Sequence, residues 1–113
     1  SMEICGDMLL GKMKLENAVF ADGTYMISPE GRMRVPTSWR EKGTYMLRVN
    51  CEGEGGTVQA FATRGFEVIG EAELAPGENS VRFTLEDDDK YFMLLIRSGE
   101  NEIRLTNLEL LKE

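Results

Sequence analysis

The residue types that most often carry out chemistry are scarce in this sequence of 113 residues. It contains no histidine, which excludes Ser-His-Asp and Cys-His nucleophile pairs, histidine proton shuttles and histidine metal sites. Its two cysteines, Cys5 and Cys51, lie far apart and form no C-x-x-C pair. We expect both to be buried free thiols, and the alternative is a disulfide if the N-terminal strand lies beside the strand that holds Cys51.

Carboxylates are the one abundant reactive group, with 20 Asp and Glu residues in total. Glycoside hydrolysis needs two carboxylates that face each other across a sugar cleft. A β-domain of this size rarely builds a deep cleft, so the sequence favours a protein that is not an enzyme. A small hydrolase that uses paired carboxylates is a third-ranked alternative.

Two turn segments have compositions that also occur in ligand sites. Gly53-Glu54-Gly55-Gly56 is glycine-rich, but a predicted strand follows it, whereas a phosphate-binding loop needs a helix N-terminus. We therefore expect a hairpin turn there. Asp87-Asp88-Asp89 could offer oxygens to calcium, but it lacks the alternating spacing of an EF-hand loop. We interpret it as a solvated turn, and no cofactor is predicted.

The formal net charge of −7 argues against a nucleic-acid partner, because binding a phosphate backbone needs clustered Lys and Arg. No run of about 18 apolar residues is present, so no membrane-spanning segment is predicted. Ser1-Met2 resembles the remnant of a cleaved affinity tag. We therefore expect residues 1–113 to form a single domain excised from a larger protein, whose targeting signal would lie elsewhere.

Alternation of apolar and polar residues with a period of two indicates strands throughout the chain. In one segment Tyr45, Leu47, Val49 and Cys51 share a face, and in another Val81, Phe83 and Leu85 do. The run from Tyr91 to Ile96 is apolar on both faces, which indicates a central strand or one that meets a partner. Candidate strands cover residues 3–10, 13–20, 24–28, 31–35, 44–52, 57–63, 66–73, 80–86, 91–97 and 102–111.

These strands are short and regularly spaced between turn signals, which predicts an all-β sandwich with eight or nine strands. The first two candidates could form one interrupted strand, and residues 31–35 could be a loop. Near the C-terminus the apolar phase changes at Thr106-Asn107. A β-bulge there would explain the change, and a short helix from Asn107 to Lys112 is the alternative.

Three segments resemble a known fold. Gly43 to Val49 matches a "G-x-Y-x-L-x-V" strand, and Leu74 to Phe83 matches an "L-x-P-G-x-N-x-V-x-F" turn and strand. The last two strands, Phe92 to Arg97 and Ile103 to Leu110, follow the same order. Together they make Gly43 to Glu113, about two-thirds of the chain, similar to the galactose-binding-like jelly roll of carbohydrate-binding modules. The resemblance implies a jelly-roll sandwich of two antiparallel sheets.

The resemblance also implies where a ligand binds, either at the loops on one end of the sandwich or on the concave face of one sheet. Many similar modules hold a structural calcium, for which Glu3 and Glu102 are the candidates here. A sugar site needs an aromatic ring and planar polar side chains. Trp39, with Arg40 beside it, lies in a polar loop and could bind the sugar or cap the core, and Tyr91 begins a strand where it could reach the site.

Arginines provide the second set of candidates, because they donate forked hydrogen bonds to carboxylates and could bind an acidic polysaccharide. Cross-strand pairing with Glu residues is the alternative role. The predicted outward positions on one sheet face are Arg32, Arg34, Arg48, Asn50, Gln59, Arg82 and Arg97.

The sequence thus favours a non-catalytic module that binds a polysaccharide or glycan, which would place it outside the cell or at the cell surface. The second interpretation is a structural or protein-interaction domain that docks onto a neighbouring domain of the same polypeptide. The apolar outward residues Met93 and Leu95 motivate it.

Overall fold

The computed structural model describes residues 2–5, 13–36, 41–62, 67–88 and 92–113, with only the backbone for residues 2–5 and Phe92. These residues form nine strands and no helix, so the all-β prediction is confirmed. None of them forms a helix that could pass through a lipid bilayer. The strands are β1 (Met2–Cys5), β2 (Lys14–Ala21), β3 (Thr24–Pro36), β4 (Gly43–Glu52), β5 (Gly56–Ala62), β6 (Glu67–Leu74), β7 (Gly77–Leu85), β8 (Phe92–Arg97) and β9 (Ile103–Lys112).

The strands build a jelly-roll β-sandwich of two antiparallel sheets that share the long strand β3. The second half of β3 pairs with β8, which is followed by β5 and β6, and we name this the front sheet. The first half of β3 pairs with β9, which is followed by β4 and β7, and we name this the back sheet. β2 pairs with both halves of β3, and β1 pairs with the end of β9.

β3 is a single bent strand, so the suggestion of a loop at residues 31–35 is wrong. The bend lies at Ser28 to Gly31, where Glu30 has φ 59. A Cβ atom on Gly31 would lie 2.4 Å from the backbone oxygen of Asn17 in β2, so this close approach requires glycine. The Ser98 Oγ atom accepts a hydrogen bond from Gly31 N at 2.9 Å and donates one to Ser28 O at 2.6 Å. The bend lets one strand serve both sheets.

The link between β4 and β5 is not a hairpin turn, contrary to the expectation for Gly53 to Gly56. β4 pairs with β7 and β9, whereas β5 pairs with β6 and β8, so this link carries the chain from the back sheet to the front sheet. Gly53 has φ 99, and a Cβ atom there would lie 2.5 Å from Glu102 O. Turn residues mark a change of direction in a sequence, but they do not identify the sheet that the chain enters next.

The bulge prediction near the C-terminus is confirmed. β9 continues from Ile103 to Lys112 with Asn107 at φ 53, and its register against β4 shifts between Arg48 and Asn50. The two N-terminal candidates are separate strands, since β1 pairs with β9 and β2 with β3.

The core lies between the two sheets and contains the predicted inward faces. Tyr45, Leu47, Val49 and Cys51 are all buried. The Tyr45 ring stacks on Phe83 with 5.9 Å between centroids, and Tyr25 packs against Phe20 at 4.4 Å. Both tyrosine rings therefore belong to the core, and Val81 packs against it while only partly buried.

Cys51 is a buried free thiol, as expected. β1 lies beside β9 rather than beside β4, which holds Cys51, so the arrangement required for the disulfide alternative is absent. Burial raises the pKa of the Cys51 thiol. The side chain of Cys5 lies outside the described residues.

Candidate functional site

The outer face of the front sheet brings together side chains from five strands, and we name it the front face. Its residues alternate with buried core residues such as Val35, Val58 and Ile96, so their side chains point away from the core. The register arranges them in three rows across the strands. The first row is Glu16, Arg32, Arg97, Thr57 and Glu73; the second is Lys14, Arg34, Leu95, Gln59 and Glu71; the third is Pro36, Met93, Phe61 and Val68.

A shallow depression of about 450 Å³ opens on the front face between β5, β6 and β8. Its polar lining consists of Thr57, Gln59, Glu71, Glu73 and Arg97. The Gln59 amide donates a hydrogen bond from Nε2 to Glu71 Oε2 at 3.3 Å, which orients both groups. Amide, carboxylate and guanidinium groups are planar and offer both donors and acceptors, so the depression is chemically suited to bind hydroxyl groups.

The side of the front face formed by β2 and β3 is rich in positive charge. The Arg32 Nε atom lies 2.7 Å from Glu16 Oε2, and the Arg34 Nη2 atom lies 3.9 Å from Glu16 Oε1. The hydrogen bond from Arg32 lowers the pKa of the Glu16 carboxyl group. Lys14 lies opposite Arg34 on β2. Several cations therefore share one carboxylate.

The third row gives one end of the front face an apolar character. Phe61 is half-buried, and Val68 beside it is 45% exposed. Leu95, in the second row, is only 6% exposed although it lies outside the core cluster. The structure therefore offers little of Leu95 for docking, and Met93 is half-buried.

The predicted single row of arginines is wrong, because the structure divides it between two faces. Gln59, Arg32, Arg34 and Arg97 lie on the front face, whereas Arg48, Asn50 and Arg82 lie on the outer face of the back sheet. The physical reason is that alternation distinguishes inside from outside but does not assign a strand to a sheet.

On the back sheet the candidate arginines pair with carboxylates. The Arg48 Nη2 atom lies 2.6 Å from Glu109 Oε2, and the Arg82 Nε atom lies 2.7 Å from Glu113 Oε1. A smaller depression of about 290 Å³ lies beside Arg48 and Asn50. The pairing expected as the alternative role of these arginines is therefore present at both residues.

Trp39, Arg40 and Tyr91 lie outside the described residues. The nearest described residues in sequence are Pro36 at the end of β3, Glu41 just before β4 and Phe92 at the start of β8. Pro36 pairs with Met93 in the third row of the front face.

The acidic candidates for a metal have other partners. The Asp88 Oδ1 atom accepts a hydrogen bond from Lys42 N at 3.0 Å, and Glu102 lies 3.2 Å from Arg104 Nε. Within residues 13–36, 41–62, 67–88 and 93–113, no three His, Cys, Asp or Glu side chains converge as metal ligands would. The side chain of Glu3 and all of Asp89 lie outside the description.

Sequence reasoning missed the other polar residues of the depression, Thr57, Glu71 and Glu73, and also Phe61, which lies on the same face outside the depression. Phe61 lies between the inward residues Ala60 and Ala62, so the alternation places its ring on the outer face. Glu71 and Glu73 alternate in the same way with Gly70, Ala72 and Leu74. The signal was present, but only the register of β5 with β6 and β8 shows that these residues meet.

No protein-family model and no curated protein sequence matches this chain. Solved structures do match. A family 29 carbohydrate-binding module from Piromyces equi is 15% identical with a TM-score of 0.57, covering 87% of this chain and 78% of that chain. A single-residue variant of CBM29-2 is 10% identical with a TM-score of 0.62, covering 96% and 91%.

A further CBM29-2 variant, solved in complex with mannohexaose, is 11% identical with a TM-score of 0.57 and covers 86% of this chain and 76% of that chain. At such low identity the likeness shows the fold. The chain therefore has a jelly-roll fold of the carbohydrate-binding-module type, similar to that of the family 29 modules.

Proposed function

We propose that this chain is a non-catalytic module that binds a polysaccharide or glycan on its front face. The observation that carries the proposal is the depression of about 450 Å³ lined by planar polar side chains, with the half-buried Phe61 on the same face farther along β5. The jelly-roll fold shared with carbohydrate-binding modules supports it. The same fold can serve many functions, so the proposal rests mainly on the side chains of the front face.

Recognition would divide between apolar and polar contacts. The ring of Phe61 would cover the apolar face of one sugar unit, while Gln59 and Arg97, which lie farther along the strands, would donate hydrogen bonds to further units of the chain. Glu71 and Glu73 would accept hydrogen bonds from hydroxyl groups. These side chains stand on paired strands, which hold them in position before the ligand arrives. Binding would thus need no cofactor and no chemical step.

Trp39, Arg40 and Tyr91, which lie outside the described residues, belong to the proposal as further contributors to binding. Arg48 and Arg82 lie on the back sheet and would belong to a separate site. The partner would be a polysaccharide outside the cell or at its surface, together with neighbouring domains of the same polypeptide.

The proposal is tested by measuring binding of the chain to an immobilised panel of neutral and acidic polysaccharides. We expect at least one to bind, and Phe61→Ala to weaken that binding roughly two- to tenfold, the range of an aromatic contact. Val19→Ala is the matched control, because Val19 is 53% exposed on β2, away from the front face. Emission of the single tryptophan, Trp39, reports whether the ligand reaches that segment.

Two results would contradict the proposal. Failure to bind any member of the panel would remove the glycan-binding function itself. Binding that survives Phe61→Ala but is lost on Arg48→Gln would move the site to the back sheet.

The apolar third row favours docking onto another protein surface as a second candidate function. Val68 is 45% exposed, Phe61 adjoins it in the row, and Met93 adjoins Phe61 on the other side. Under this alternative the chain self-associates at high concentration, and Met93→Glu weakens the association. Sedimentation that shows a monomer at every concentration would count against docking.

A further inference from the structure

We infer that the glycan bound at the front face is anionic and that Arg97 binds a carboxylate of one of its sugar units. This inference rests on the proposed function and specifies the class of ligand. The distribution of charge motivates it and the fold does not, because the similar CBM29-2 variant named above was solved with mannohexaose, a neutral oligosaccharide.

The front face as a whole carries, in its three described rows, four cations and three carboxylates, but positive charge is concentrated on one side of it, in a chain whose formal net charge is −7. Among the described residues, the part of the face formed by β2, β3 and β8 carries four cations and one carboxylate. The cations are Lys14, Arg32, Arg34 and Arg97, and the carboxylate is Glu16. An excess of positive charge on an acidic protein attracts an anionic partner to that location.

Arg97 and Lys14 are the two cations of this group without an ion-pair partner among the described residues, and Arg97 is the one that lines the depression. Glu16 lies 2.7 Å from Arg32 and 3.9 Å from Arg34, whereas no described carboxylate lies within ion-pair distance of Arg97. Arg97 lies directly opposite Arg32 in the register of β8 with β3. Like charges directly opposite each other on neighbouring strands destabilise a sheet, so an anion bound at Arg97 would relieve this repulsion.

The position of Arg97 also indicates which side of the depression the carboxylate of the ligand would occupy. Arg97 lines the depression on β8, and Glu71 and Glu73 line its other side on β6. β5 separates these strands, so about 10 Å lies between the positive and negative sides. A sugar carboxylate is favoured beside Arg97 and repelled by Glu71 and Glu73. The β6 side therefore suits the hydroxyl groups of the next unit.

The test compares polygalacturonate, alginate and glucuronoxylan with the carboxyl-reduced, neutral form of each. We expect the affinity for a uronate polymer to exceed the affinity for its reduced form by about tenfold or more. We expect Arg97→Gln to remove about tenfold of the uronate affinity, the loss typical for a hydrogen bond to a charged group. Arg97→Lys recovers only part, because lysine lacks the guanidinium fork.

Arg104→Gln is the matched control, since Arg104 is an exposed arginine on β9 in the back sheet. It should leave the uronate affinity unchanged, and the thermal midpoint should verify that each variant folds. Dextran sulfate provides a further arm. It carries a dense negative charge but no uronate unit, so it should bind more weakly than a polymer whose sugar ring and carboxylate are both recognised.

The outcomes separate this inference from the function on which it rests. If neutral polysaccharides bind as tightly as uronates, the module function stands and the anionic preference is overturned. Equal binding of dextran sulfate and uronates would overturn carboxylate recognition by Arg97 in favour of general charge attraction. If neither neutral nor anionic polymers bind, the proposed function falls first.

Discussion

At the scale of single residues, Tyr45 contributes to both the core and the entry to β4. Its side chain is fully buried against Phe83, and its hydroxyl donates a hydrogen bond to the backbone carbonyl of Glu41. Tyr45→Phe removes the hydroxyl and should lower the free energy of unfolding by about 1 kcal/mol. Tyr45→Ala also leaves a cavity and should cost about 3–5 kcal/mol.

Urea unfolding of both variants checks this expectation. If both variants lost the same free energy of unfolding, the ring and the hydroxyl of Tyr45 would not make the separate contributions expected here.

Two buried groups should make the stability of the protein sensitive to alkaline pH. Burial raises the pKa of the Cys51 thiol above its ordinary value of 9.0 and that of the Tyr45 phenol above its ordinary value of 10.0. A raised pKa means that the folded state holds its proton longer than the unfolded state does. The stability from each group is therefore complete below the ordinary pKa and is lost as pH rises through the folded-state pKa.

We predict that the free energy of unfolding declines above about pH 9. In Tyr45→Phe the decline above about pH 10 should be shallower, because the phenol is absent. Urea midpoints measured across the alkaline range provide the check. A decline of the same slope in the variant would show that the Tyr45 phenol is not responsible.

At the scale of elements, the bend in β3 depends on Ser98. Its Oγ atom accepts a hydrogen bond from the buried Gly31 N–H and donates one to Ser28 O. Ser98→Ala leaves the Gly31 N–H without this partner and should destabilise the fold by about 1–3 kcal/mol. The matched control is Ser80→Ala, because Ser80 is exposed on β7 and should change stability by less than about 0.5 kcal/mol.

Thermal unfolding of the two serine variants measures the difference. Equal midpoints would mean that the bend does not need the Ser98 hydroxyl.

The elements also show how far alternation can predict a structure. It identified the inward faces of β4 and β7, and the change of phase at Asn107 correctly indicated a bulge. It did not identify residues 31–35 as part of β3, because a bent strand resembles two short segments in sequence. Whether Gly53 ends a hairpin depends on which strand pairs with β4, which local residues do not determine.

At the scale of the whole molecule, the two sheets meet closely where β6 approaches β7. A Cβ atom on Gly70 of β6 would lie 2.7 Å from Phe83 Cβ on β7, which real Cβ atoms essentially never do. Gly70→Ala should therefore push the two strands apart and lower stability by about 1–3 kcal/mol, as overpacking does. Amide exchange should quicken in β6 and β7 before it does in β9.

If amide exchange in that variant quickened equally in β6, β7 and β9 and the thermal midpoint did not change, the contact between Gly70 and Phe83 would have no role in holding the sheets together.

The candidate site is likewise a property of the whole fold. Gln59 and Arg97 were recognisable as outward polar residues, but they lie 38 positions apart in sequence, and only the pairing of β5 with β8 brings them together. The same two-sheet arrangement separates Arg48 and Arg82 from them. A pattern along one strand cannot show such neighbours, because they depend on the order of strands in the sheet.

The measurement that tests the central claim most directly is a nuclear magnetic resonance titration of the ¹⁵N-labelled chain with an oligosaccharide of the tightest-binding polysaccharide. We predict that shift changes cluster at Thr57, Gln59, Glu71, Glu73 and the Arg97 side chain, while Arg48, Asn50 and Glu78 stay unchanged. Changes confined to Arg48, Asn50 and Glu78 would place the site on the back sheet and contradict the account, and so would a titration that perturbs neither face.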